Sequence, residues 1–218
     1  GGFTKEETEY VLVDCHYLGL DNIMALRGDS MKHEPYFIPT PGGNNFAAEL
    51  VTQIKELNEG KYLHNIIETN NKSDFCIGVA GYPEKHLEAP SMETDLRRLK
   101  EKVDAGADYV VTQMFFDNSK YFDFVQKARK IGITVPIIPG IKPVAIKRHQ
   151  QILPQIFRLD MPENLISAIE GCKDNQQVRE VGIEWAVQQS KELIAHGAPV
   201  VHFYSMGKSD NIKAIAKE

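Results

Sequence analysis

Five short apolar runs punctuate this chain: Ile23–Leu26, Cys76–Gly81, Tyr109–Gln113, Val135–Ile141 and Val200–Tyr204. None alternates apolar with polar residues. A strand with one wet face shows a period of two, whereas a parallel strand covered on both faces is apolar throughout. Between the runs the period lengthens to that of helices ending near glycine. This is βα organisation with a parallel sheet.

The helices are legible from their ends. Thr4 with Glu7 three residues later forms a capping box, and the helix it starts carries Tyr10, Val13 and Tyr17 to a stop at Gly19. Ser91 caps a segment with Leu96, Leu99 and Val103 on one face, stopped at Gly106. Asp117 or Ser119 starts another that ends near Gly132, and a long one spans about Asn175 to His196. A helix first, then five strands with helices between, fits a doubly wound sheet or the rear of an eight-stranded barrel of about 250 residues. Neither G-x-G-x-x-G nor a P-loop occurs, which disfavours the nucleotide-binding doubly wound sheet. Strand counting alone leaves both architectures open, and the barrel gains only by default.

Composition narrows the partners. A net charge of −5 and a pI near 5.8 argue against a broad grip on nucleic acid or an anionic membrane. Cys15, Cys76 and Cys172 stand far apart, without disulfide or metal spacing, so no metal is expected and a reducing, cytoplasmic setting fits. No apolar run approaches the roughly 18 residues of a membrane helix, and no signal-like leader opens the chain.

In a parallel barrel, chemistry gathers where strands end. Polar residues follow nearly every run: Arg27-Gly28-Asp29, Tyr82-Pro83-Glu84-Lys85-His86, Thr112-Gln113, and Ser205-Met206-Gly207-Lys208. Each has a bland alternative, the first as a tight turn and the second as a rigid loop start. Gln113 is harder to dismiss, because an amide beside Tyr109-Val110-Val111 is costly to bury without a partner. Asp95, Arg98 and Lys102 fall at i, i+3 and i+7 beside an apolar helix face. The like charges at i, i+4 would be relieved by an anion. Phe115-Phe116 reads as packing, and Gly42-Gly43-Asn44-Asn45 before a helix Phe46–Lys55 is a weak phosphate signal.

Taken together, Ala25-Leu26-Arg27-Gly28-Asp29, Ala80-Gly81-Tyr82-Pro83 with His86, Asp95-Leu96 with Lys100–Ala107, Thr112-Gln113 with Phe115-Phe116, Pro139-Gly140-Ile141 with Pro143, and His202-Phe203-Tyr204 resemble methylenetetrahydrofolate reductases, in that family's order. The resemblance decides for an α/β chain of the (β/α)8 TIM barrel class, residues 1–218 forming one domain with strands 4 to 8, and implies FAD at the strand ends, with NADH or NADPH as hydride donor and 5,10-methylenetetrahydrofolate as acceptor, in one-carbon and methionine metabolism. It places Arg27, Gly28, Asp29, Phe46, Ala47, Tyr82, His86, Asp95, Arg98 and Lys102 on FAD. Asp29 also serves the folate, and Gln113 meets whichever substrate is present; these two are the implied catalytic residues. His149, Tyr204 and Lys208 fall on the substrate side.

Departures from the pattern are specific. Arg98 and Glu101 stand where some bacterial members carry Asn and Arg, His149 and Leu153 where some relatives carry Gln and Phe, and Lys208 where relatives have Arg. The family's first three strands, including the Glu that serves as general acid, have no counterpart here. That implies an inactive fragment whose unpaired edges lead to aggregation, a rearranged sheet or assembly with another copy into a homo-oligomer, or alternatively a non-catalytic flavin- or folate-binding barrel.

Overall fold

The computed structural model describes residues 2–30, 37–64, 71–207 and 209–218. In chain order the elements are α1 (Lys5–Tyr17), β1 (Asn22–Ala25), α2 (Ala47–Asn58), β2 (Cys76–Gly81), α3 (Met92–Asp104), β3 (Tyr109–Met114), α4 (Asn118–Lys130), β4 (Ile137–Ile141), α5 (His149–Phe157), α6 (Glu163–Glu170), α7 (Asn175–Ala195), β5 (His202–Phe203) and α8 (Asp210–Ile215). The strands form one sheet in the order β1-β2-β3-β4-β5. β1 pairs parallel with β2, Asn22 opposite Cys76, and β4 pairs parallel with β5, Gly140 opposite His202. The fold is α/β, with sequential strands as neighbours. Among the described residues no helix is long and apolar enough to cross a membrane.

The chain packs as two compact units, interleaved in sequence. The first comprises Gly1–Ala80, Leu96–Val110 and Gly132–Val135. Its opening helix has both arms of the capping box: Thr4 Oγ1 accepts from Glu7 N at 3.1 Å, and Glu7 Oε2 accepts from Thr4 N at 2.8 Å. Val51, Ile54 and Leu57 of α2 are buried, as are Ile77 and Val79 of β2. Asn58 fastens the approach to β2, its amide donating to Phe75 O and accepting from Phe75 N. Gly78 lets Tyr109 lie across β2, since a Cβ there would sit 2.5 Å from the Tyr109 ring.

One expectation fails in this unit. The run containing β1 reads as covered on both faces, yet only Ala25 of the strand is buried, and Met24 is 38% and Leu26 50% exposed. β1 ends the strand order, so a single strand flanks it. A continuous apolar run shows that a strand can be covered, and not that it is. Tyr10, Val13, Tyr17 and Leu18 of and beside α1 are exposed as well.

The second unit comprises Gly81–Asp95, Val111–Ile131 and Pro136–Glu218. Phe115 and Phe116 are buried, as the packing reading requires. Their carbonyls, which burial would otherwise strand, accept from Gln189 Nε2 and Trp185 Nε1 of α7. Phe116 joins Val144, Leu153, Leu165, Ile169 and Val178 in one core, so Leu153 is a packing residue. Gly182 allows α7 to touch backbone: a Cβ would stand 1.9 Å from Val144 O. The last strand is shorter than its run, with Val200 outside it and 55% exposed.

Candidate functional site

In the first unit β1 delivers Arg27-Gly28-Asp29 directly after its last buried residue. Gly28 takes φ +92°, a left-handed conformation that a side chain resists. Arg27 Nε donates to Gly28 O at 3.4 Å, and its guanidinium carbon lies 4.6 Å from the centre of the Phe37 ring. Asp29 is exposed. Phe46 caps α2 in extended backbone and is exposed, while Ala47 opens the helix half-buried. On α3, Arg98 is half-buried and Lys102 donates from Nζ to Ala80 O, the penultimate carbonyl of β2. Backbone thus provides part of the relief expected from an anion.

In the second unit the segment after β2 is bonded to itself throughout. Lys85 N donates to Tyr82 O at 3.1 Å, closing a turn that puts Lys85 at φ +75°. Lys85 Nζ then reaches back to Ala89 O at 2.6 Å and His86 O at 3.1 Å. His86 N donates to Asp95 Oδ2 at 2.8 Å, which ties the segment to the first turn of α3. The imidazole stands edge-on to Tyr82 with centroids 4.6 Å apart, and its Nδ1 accepts from Glu88 N. That bond makes Nε2 the proton-bearing nitrogen of the neutral ring. Asp95 therefore organises the loop, whatever else it meets.

Glu84 lies in the polar segment after β2, and nothing in the sequence sets it apart from its neighbours. Its Oε2 accepts from Asp160 N at 2.8 Å, and its Oε1 is buried with no hydrogen-bond partner among the described residues. Burial pushes the carboxyl above the usual carboxylate range, against the opposing bond from Asp160 N.

The ends of β3, β4 and β5 are laced together. Thr112, fully buried, accepts from Gly140 N at Oγ1 (2.9 Å) and from Tyr204 Oη at its carbonyl (2.8 Å). A Cβ on Gly140 would meet Thr112 O at 2.2 Å and the Tyr204 ring at 2.6 Å, so the glycine permits the contact. Tyr204 N continues the pairing onto Ile141 O. The Tyr204 hydroxyl donates inward, and toward a ligand it offers a ring and an acceptor lone pair. Gln113 is half-buried; its Oε1 accepts from Met114 N at 2.9 Å, so its amide already has one local partner. His149 opens α5 with Nδ1 accepting from Ala145 N, and burial, helped by the nearby Lys142 charge, holds the ring below the usual histidine range. Lys208 lies outside the described residues.

Lys142 was passed over although it obeys the rule that found the others, being the first polar residue after the run Val135–Ile141. It is half-buried, and Nζ donates to Tyr204 O at 3.0 Å.

A family model described as methylenetetrahydrofolate reductase matches residues 2–218. The Arabidopsis thaliana protein named methylenetetrahydrofolate reductase (NADH) 1 is 36% identical over 211 residues, covering 92% of this chain and 33% of its own length. Methylenetetrahydrofolate reductase 1 of Schizosaccharomyces pombe is 35% identical over 215 residues, covering 97% and 33%. The 5,10-methylenetetrahydrofolate reductase of Escherichia coli is 34% identical over 215 residues, covering 97% and 65%. The chain thus spans about one third of the plant and yeast relatives and somewhat under two thirds of the bacterial one. Among solved structures, an uncharacterized protein from Clostridium thermocellum, described as binding two copies of 5-methyl-5,6,7,8-tetrahydrofolic acid, aligns with a TM-score of 0.58 at 15% identity, covering 98% of this chain and 67% of that one. At that identity the likeness is one of fold.

Proposed function

Since this chain belongs to the methylenetetrahydrofolate reductase family, we propose that it carries the strand-end residues of a flavin-dependent reductase, one that converts 5,10-methylenetetrahydrofolate to 5-methyltetrahydrofolate with NADH or NADPH. The observation that carries this reading is the match over residues 2–218, within which five sheet strands end in the polar segments the chemistry needs. The reading takes the strands as members of an eight-stranded barrel in a single catalytic domain.

The residues present suit FAD. In the first unit Arg27 and Lys102 supply cationic donors for a diphosphate, and the glycine backbone at Gly28 allows close approach. In the second, Tyr82 and His86 offer an aromatic ring and ring N–H on a loop fixed by Asp95. FAD, when bound, supplies the relay that takes hydride from the nicotinamide and gives it to the one-carbon unit. The protein groups bind and polarise. Asp29, an exposed carboxylate, favours the cationic iminium form of the folate, in which the one-carbon unit best accepts hydride. Gln113, with its carbonyl oxygen held by Met114 N, presents its NH2 as a donor to substrate.

Purification of the natural gene product that contains this chain tests the proposal. A yellow protein that oxidises NAD(P)H with menadione or methylenetetrahydrofolate as acceptor is expected, and a colourless protein that ignores added FAD would overturn it. Within that protein, Asp29→Asn should slow folate reduction more than reduction of the flavin by NAD(P)H. Equal slowing of both half-reactions would remove the role given to Asp29.

A further inference from the structure

Lys142 stands one residue beyond β4, and its ammonium reaches the carbonyl of Tyr204, one residue beyond β5. Because these strands run parallel, the group lies at the carboxyl ends of both. A lysine ammonium has three N–H donors. The Tyr204 carbonyl takes one, and no carboxylate pairs with Lys142 among the described residues. Water is partly excluded, so the charge is costly to hold there without a counter-charge. Beside it, His149 keeps its proton on Nε2, because Nδ1 accepts from Ala145 N. Gln113 and Tyr204 occupy neighbouring strand ends of the same unit.

We propose that Lys142 is a substrate-binding cation that receives an oxyanion, a phosphate or carboxylate of the hydride donor or of the folate, with the Nε2–H of His149 as a second donor. This rests on the reductase reading above, in which both substrates are polyanions. Two further facts agree. Burial holds the Lys142 ammonium below lysine's ordinary range and, with the Lys142 charge as the smaller cause, holds His149 below histidine's. An arriving anion would reverse both penalties, whereas a cation or apolar group would deepen them. The lacing of Thr112, Gly140 and Tyr204 fixes the Tyr204 carbonyl, so the ammonium is held in place before a ligand arrives.

The test uses the natural gene product with Lys142→Met, which keeps the stem and removes the charge, and Lys142→Arg, which keeps the charge. KM and direct equilibrium binding are measured for NADH, NADPH and mono- and polyglutamylated folate substrate, with the melting temperature recorded for each variant. Loss of a charge-assisted hydrogen bond should raise KM and Kd by about tenfold or more in Lys142→Met, with partial rescue in Lys142→Arg. The ligand affected names the source: both nucleotides for the dinucleotide diphosphate, NADPH alone for its 2′-phosphate, folate alone for a glutamate carboxylate. A Lys142→Met protein that melts lower yet binds every ligand as before would overturn the inference, leaving Lys142 as a cap on Tyr204. In that case wild-type flavin content and turnover still uphold the reductase reading; a wild-type protein that binds neither nucleotide nor folate would overturn both.

Discussion

The segments that follow β1 and β2 reach their conformations by opposite means. After β1, Gly28 and Asp29 are exposed, and the shape of the turn comes from one glycine at φ +92°. After β2, Tyr82 to Ala89 is bonded to its own backbone, to Asp95 on α3 and, through Glu84, to Asp160. A ligand meeting the second segment finds donors already placed and need not order them. A ligand meeting the first finds a backbone shape and an exposed carboxylate. The difference teaches that strand-end position alone does not make a rigid contact; the local acceptors do.

The comparison breaks most readily at Asp95. Asp95→Ala leaves His86 N without its carboxylate acceptor, at an expected cost of about 2 kcal/mol. Urea unfolding should show a lower midpoint, and the purified protein should retain less FAD. An unchanged midpoint would mean that Asp95 does not hold the second segment.

At the first segment the corresponding test is Gly28→Ala, which forces an L side chain into the left-handed region at roughly 1–2 kcal/mol. The same unfolding measurement reads it. A cost near zero would show that the turn relaxes to an ordinary φ, and the contrast between the two segments would then lie in their bonds alone.

A pair of variants at Lys85 sharpens the contrast further, because there a non-glycine residue sits at φ +75° while its ammonium bonds Ala89 O and His86 O. Lys85→Ala loses the bonds and keeps the strain, whereas Lys85→Gly loses the bonds and relieves it. The glycine variant should be the more stable of the two by about 1 kcal/mol, measured by urea unfolding. The reverse order would show that the left-handed backbone costs nothing here.

Much of this was legible in the amino-acid sequence. Thr4 and Glu7 announce α1, and the runs at Cys76–Gly81 and Tyr109–Gln113 coincide with β2 and all but the last residue of β3. Helix caps and continuous apolar runs are local properties, and local properties survive folding. The exposure of Met24 was not legible, because coverage depends on what packs outside the strand. Nor was the left-handed Lys85, since lysine carries no preference for positive φ and its bonds to His86 O and Ala89 O form only in the closed loop. Of the candidate site, the position of Arg27, Tyr82, Gln113 and Tyr204 at or just beyond strand ends was legible, and their hydrogen-bond partners were not. Asp95 and Lys102, which the resemblance places on FAD, each also bond backbone, a partner that their spacing on the helix could not show. Lys142, the first polar residue after its run, was readable by position, whereas its bond to Tyr204 O was not.

The smallest effect concerns Glu84, where a buried carboxylate oxygen of the segment lacks a partner among the described residues. Burial is the largest influence on this carboxyl and raises its pKa; the bond from Asp160 N and the charge of Lys120 oppose, while the Asp160 and Asp117 carboxylates reinforce the rise. A folded state that holds a proton more tightly than the unfolded chain is stabilised by it below the unfolded value, about pH 4 for a glutamate, and loses that contribution as pH climbs through the raised value. Glu84→Gln carries no titrating proton, and its amide oxygen can still accept from Asp160 N. The variant and the wild type should therefore melt at similar temperatures near pH 4, with the variant gaining as pH rises toward 8. Because Glu84 is only partly buried and Lys120 offsets part of the penalty, the gain should be the least of the four. A wild type that becomes the more stable protein at the higher pH would show that Lys120 outweighs burial, and Glu84 would then belong among the bonds that hold the segment.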